Sequence, residues 1–331
     1  MIEILIQNKD KNKLLYKMMK PKQIISMAVV AAGAMMFASC NVNDEIQSDV
    51  NRAVRFTGNI GGQVTVTPGT RASGIEWGTD DEVGVFMVGH GGTSVPDNVS
   101  NKKYTVSGTS LSAAGGVDIY YPVDGAVDFI AYYPYSETWN DLSEVDINIG
   151  DQTEQAKFDL LYAKADNDGA GYTKDYGSAV GLQFDHKLAK VVFNCKKGNG
   201  LASLDGMTVR IKGMNSRGTF NLANGVVVPT NNSTETEGIA ARELSGAPSG
   251  YLKSYDAIIM PGAYDANAVT FEFTVGGDTF TWTIDKAENA KFESGNEYTY
   301  AVTVTRRGVT MSGTISPWKT DGNDRGSVVA D

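Results

Sequence analysis

Hydrophobic and polar residues alternate with a period of two along much of the chain. Val64-Thr65-Val66-Thr67, Val145-Asp146-Ile147-Asn148-Ile149 and Phe271-Glu272-Phe273-Thr274-Val275 show it cleanly. Thr279-Phe280-Thr281-Trp282-Thr283-Ile284 and Tyr298-Thr299-Tyr300-Ala301-Val302-Thr303-Val304 do the same. Successive side chains of a strand point to opposite faces, so this pattern predicts strands with one buried face. Turn signals separate the runs: Gly61-Gly62, Gly91-Gly92, Gly115-Gly116, Asn224-Gly225 and Gly276-Gly277-Asp278. The last of these predicts a hairpin from Phe273 to Thr283. No window holds apolar residues at helical spacing for three turns. The expected fold is therefore all-β, built as sandwiches that bury one face of each sheet.

A polar stretch rich in Gly and Asp, Asp166 to Ser178, precedes the apolar runs that begin at Leu182 and continue through Leu188–Cys195. It predicts a seam, with one sandwich over residues 53–182 and a second over 183–331, each near the commonest domain size. Composition agrees with a folded body: of 331 residues, 41% are hydrophobic and 21% charged, too apolar for a disordered chain.

The N-terminus differs from the rest. Residues 1–39 hold six Lys and two acids, which leaves 23 basic against 37 acidic residues in the remainder, a net of −14. So acidic a body lacks the clustered Lys and Arg that nucleic acid requires. Ile24 to Phe37 is apolar or small apart from Ser26. That run is too short for a membrane span, which needs roughly 20 residues. With Lys20 and Lys22 before it and Ala38-Ser39 after it, it has the three parts of a secretory signal. Cys40 directly follows the small residues and resembles the lipid-modified Cys of a bacterial lipobox. The expectation is a signal over 1–39, of which 1–17 precede the real start, and a lipidated tether over 40–52. Several acyl chains, at about 0.8 kcal/mol per buried CH₂, anchor a protein durably.

Catalytic chemistry is poorly supported. Two Cys and two His are too few for a disulfide framework or a Cys/His zinc site. His90 lies at a loop tip, Gly89-His90-Gly91-Gly92, and His186 at a strand end. There is no nucleophile elbow, P-loop or dinucleotide fingerprint. Asp166-Asn167-Asp168-Gly169 opens like a calcium loop but lacks its later ligands. Cys195, inside an apolar run, reads as a small buried hydrophobe. No catalytic residue, metal site or cofactor is expected, and the protein is not expected to be an enzyme. The aromatics Tyr120-Tyr121, Tyr132-Tyr133, Tyr135 and Trp139 permit two readings. They form a sugar-stacking surface, or they cap a core with one ring in and one ring out.

Several segments in order carry a resemblance: Thr70-Arg71-Ala72, Trp77-Gly78-Thr79-Asp80-Asp81-Glu82-Val83-Gly84-Val85-Phe86, Ala131-Tyr132-Tyr133-Pro134 and Phe158-Asp159-Leu160-Leu161-Tyr162-Ala163. They continue with Phe184-Asp185-His186-Lys187-Leu188-Ala189-Lys190-Val191, Ile258-Ile259-Met260-Pro261 and Ile315-Ser316-Pro317-Trp318. Together with the lipobox they resemble the fimbrillin family of Bacteroidetes, the shaft and accessory subunits of type V pili. Asp44 and Glu45 resemble the acidic surface-export signal of lipoproteins from that group.

The resemblance implies two transthyretin-like β-sandwiches in tandem, a surface lipoprotein of the outer membrane, and a role in adhesion. It implies partners that are other fimbrial subunits, with a host or bacterial surface glycan or protein as a further partner. It also implies assembly by strand exchange: a protease cuts after an Arg, the first strand leaves, and a strand of another subunit replaces it. On this chain the cut maps to Arg71. The removable strand maps to Val54, Phe56, Ile60, Val64 and Val66. The candidate donor strand maps to Val302, Val304, Val309, Met311 and Ile315, which could equally be permanent core. The alternative function is that of a glycan-binding surface lipoprotein.

Overall fold

The computed structural model describes residues 53–61, 76–95, 99–230, 234 and 237–318. In chain order the strands are β1 (Phe56–Ile60), β2 (Glu82–Gly89), β3 (Lys102–Ser107), β4 (Ser110–Ala113), β5 (Val127–Tyr133), β6 (Glu144–Asn148), β7 (Leu161–Ala165) and β8 (Val180–His186). There follow β9 (Ala189–Lys197), β10 (Thr208–Lys212), β11 (Arg217–Asn221), β12 (Val226–Pro229), β13 (Ile239–Ala240), β14 (Arg242–Glu243) and β15 (Lys253–Ile259). The chain continues through β16 (Gly262–Ala263), β17 (Thr270–Val275), β18 (Asp278–Thr283), β19 (Lys291–Phe292), β20 (Asn296–Thr305) and β21 (Gly308–Pro317). The helical segments among the described residues are short 3₁₀ turns. The fold is all-β, as the alternation predicts.

The first half forms one closed sheet in the order β1-β4-β3-β2-β5-β7-β8. Its ladders are antiparallel except where β1 closes the ring by running parallel to β8, from Phe56 opposite Val180 to Ile60 opposite Phe184. Its interior takes Val83, Val85 and Met87 of β2 and Phe129, Ala131 and Tyr133 of β5. The intervening residues Phe86, Val88, Ile130 and Tyr132 point outward into a second core. This explains why β2 from Val83 and β5 from Phe129 read as near-continuous apolar runs: a strand covered on both faces has no polar side to alternate with.

The second half stacks two sheets, β14-β15-β9-β20-β21 and β13-β10-β17-β18. Phe193 of β9 meets Phe271 of β17 edge-to-face at 4.9 Å. The expected hairpin is present as β17 and β18, with Val275 opposite Asp278. Gly276 and Gly277 take φ of 61° and 90° between them, a conformation that side chains with a Cβ resist.

Two features cross the expected seam at 182/183. β8 runs unbroken to His186 within the first sheet, because Val180, Leu182, Phe184 and His186 are one buried face of one strand. In the other direction, β6 pairs with β11 and forms a three-stranded sheet with it and β12. Ile147 and Ile149 then lie in the second core. The expected signal, the tether with Cys40, and the positions Val64, Val66 and Arg71 lie outside the described residues.

Candidate assembly surfaces

β1 is short and deeply seated. Val54, Phe56 and Ile60 are buried, and the Phe56 ring stands edge-on to Tyr104 at 5.3 Å and to Phe129 at 5.0 Å. Gly58 lets the strand approach closely, since a Cβ there would fall 2.9 Å from Leu111 and 3.1 Å from Phe184. The backbone is tied on both flanks. Gly58 donates to the Thr109 carbonyl at 2.9 Å, Gly61 to that of Phe184 at 2.9 Å, and Val180 to that of Arg55 at 2.8 Å. The Trp77 indole donates to the Gly58 carbonyl at 3.0 Å. β1 thus fills an apolar trough between β4 and β8, and any segment taking its place meets the same trough and two unpaired edges.

The candidate donor residues fall on two strands with different standing. Val302 and Val304 belong to β20, which is flanked by β9 on one side and β21 on the other. Both are fully buried. Val309, Met311 and Ile315 belong to β21, half-buried at the sheet's edge. Removing β21 breaks one ladder, whereas removing β20 breaks two and takes Tyr298, Tyr300, Val302 and Val304 out of the core. Beside β21 an open groove of about 540 Å³ runs toward β18, lined by Trp282, Tyr300, Met311 and Ile315 among others. Alternation alone does not separate β20 from β21; the free edge does.

The aromatic candidates are mostly interior. Tyr121, Tyr132 and Tyr133 are buried while Tyr120 is exposed, and Trp139 packs on Tyr132 at 4.9 Å. Tyr120 and Tyr121 are thus the one-out, one-in pair of a core cap. Both histidines pair with aspartates: His90 Nδ1 lies 2.8 Å from Asp128, and His186 Nδ1 lies 2.9 Å from Asp159. Cys195 is fully enclosed, and burial pushes its thiol up to about 12, far from a reactive thiolate.

The comparisons with known proteins converge. The fimbrillin-like family model matches residues 70–318. The candidate fimbrium subunit Fim1C of Bacteroides uniformis is 34% identical over 268 residues, covering 78% of this chain and 83% of that protein. Among solved structures, a candidate cell adhesion protein from Bacteroides uniformis aligns with a TM-score of 0.65 and 29% identity, over 81% of this chain and 98% of its own. A second, from Bacteroides ovatus, aligns with a TM-score of 0.63 and 26% identity, over 82% and 99%. With a model spanning most of the chain and a relative above 30% identity, the protein belongs to the fimbrillin-like family.

Proposed function

We propose that the protein is a surface-exposed fimbrial subunit, in the shaft or as an accessory or tip component, that serves adhesion and joins its neighbours by strand exchange. The names of its relatives, a fimbrium subunit and cell adhesion proteins, support the first part. One observation carries the second: β1 is a five-residue strand that alone closes the first sheet, through a parallel seam with β8. The chain between them runs through β2 to β7 and not through a single crossover, so β1 sits as an insert in a trough.

Arg71 lies in the sequence between β1 and β2. A cut after it leaves β1 held by non-covalent contacts alone. Burying Val54, Phe56 and Ile60 is worth about 6 kcal/mol in transfer terms, which an incoming strand with matching side chains regains. β21, at its free edge, is the donor that can be released. Lipidation of Cys40 places the subunit on the outer membrane before it is cut. The tandem transthyretin-like arrangement belongs to the same proposal, supported by a first sheet closed around its own core and by two stacked sheets after it. In this role the protein does no chemistry.

The test is to treat the purified protein with trypsin and follow its mass on non-boiled gels. The expected result is a ladder of multimers, abolished by Arg71→Ala. Clean cleavage near Arg71 with an unchanged monomer would overturn strand exchange.

A further inference from the structure

Three of the segments that carry the family resemblance lie far apart in sequence: Phe158–Ala163, Phe184–Val191 and Ile315–Trp318. They meet at one point. Asp159 precedes β7, His186 ends β8, and Trp318 follows β21. His186 Nδ1 faces Asp159 Oδ1 at 2.9 Å, and with a carboxylate opposite, that nitrogen carries the proton and donates. The imidazole lies flat on the Trp318 indole, with centroids 3.8 Å apart and an interplanar angle of 10°. Lys190 Nζ sits 5.7 Å from the indole centroid, and Asp256 and Glu297 flank the same ammonium at 3.7 and 3.6 Å.

All three residues are buried, with Trp318 only 3% exposed. The backbone closes around the stack: Trp318 donates to the Gly295 carbonyl at 2.7 Å, and Gly295 donates to that of Leu188 at 2.8 Å. The Ser294 hydroxyl donates to the carbonyl of His186 at 3.2 Å. The indole N–H has no hydrogen-bond partner among the described residues. A buried indole ordinarily finds one, so the ring contributes here through its face.

We infer that Asp159, His186 and Trp318 form a clasp that retains β21 and ties its end to β8, the strand against which β1 closes the first sheet. β21 is an edge strand with one ladder, to β20. At its start the turn after Thr305 holds it covalently. At its end, among the described residues, the side-chain clasp and the backbone bond from Trp318 to the Gly295 carbonyl add to the ladder. Loosening the clasp frees β21 from its C-terminal end inward and leaves β20 in place. Retention does not depend on strand exchange. Its consequence for assembly does, because a clasp that holds the donor sets how readily the donor is given up.

The experiment uses the full chain and two readouts. The chain has two histidines, so two sets of ring signals are expected by NMR. The His186 set lies upfield in the indole ring current. In Trp318→Ala that displacement disappears while the His90 signals stay, and amide exchange over Met311–Ser316 accelerates at least tenfold. Exchange in β2 and β5 is unchanged, and Trp318→Phe, which keeps a stacking face, restores the wild-type behaviour. If Trp318→Ala does not fold, Trp318→Leu fills the pocket without stacking and carries the same expectation. Unchanged exchange in β21, or equal acceleration in β2 and β5, would overturn the clasp. With trypsin, the Ala or Leu variant is expected to form ladders faster than wild type. Ladders absent from both proteins, with the selective loosening of β21 present, would support the clasp and remove strand exchange.

Discussion

A buried thiol and several buried phenols set how the protein responds to alkali. Burial pushes the Cys195 thiol from 9.0 up to about 12. Burial likewise pushes the Tyr104, Tyr121 and Tyr162 hydroxyls from 10.0 up to about 12. In each case the interior disfavours the charged form, so the unfolded chain ionises first. Their contribution to stability is whole below pH 9 and is lost as the pH rises toward 12. Urea midpoints are therefore expected to hold level from pH 7 to 9 and then fall steeply. A flat profile to pH 11 would show that these groups reach water in the folded state. Phe56 shows a second side of the residue scale. Its place in an alternating run is visible in the sequence, but the rings that receive it come from β3 and β5.

Strands with the same alternation differ in what their removal costs. β20 and β21, ten residues each, form one hairpin, Val302 opposite Met311 and Val304 opposite Val309. Val302 is fully enclosed while Met311 is half-buried. Val302→Ala is expected to destabilise by about 2 kcal/mol, from lost burial plus the cavity left behind. Met311→Ala is expected to cost less than about 1 kcal/mol despite removing more atoms. Chemical denaturation of the two variants checks the order, and equal losses would mean β21 is as permanent a part of the core as β20. The hairpin of β17 and β18 needed no such context. Its Gly276-Gly277 turn and the facing alternation declare it locally, whereas β1's parallel partner, more than a hundred residues away, does not declare itself at all.

At the scale of the molecule the two halves share material. The outer faces of β2 and β5 supply Phe86, Val88, Ile130 and Tyr132 to the second core, and β6 supplies a strand to a sheet with β11 and β12. A fragment of residues 183–331 would lose all of these and expose the wall they cover. It is expected to aggregate or bind hydrophobic dye, while residues 54–318 unfold in a single transition. An independently folded, monomeric 183–331 fragment would show the halves to be autonomous.

What the sequence determined by itself is whatever neighbours in the chain decide: the all-β class, the two-residue turns, the buried thiol, and the ordered segments by which the family is recognised. Period two is a local property, and Gly and Pro mark turns wherever they stand. The tertiary structure decided what depends on distant pairing. It gave β2 and β5 two buried faces and placed β1 as the closing strand. It also distinguished a central strand from an edge strand of identical pattern and brought Asp159, His186 and Trp318 into one stack. Those facts rest on which surface lies opposite, and alternation along one strand carries no record of its partner.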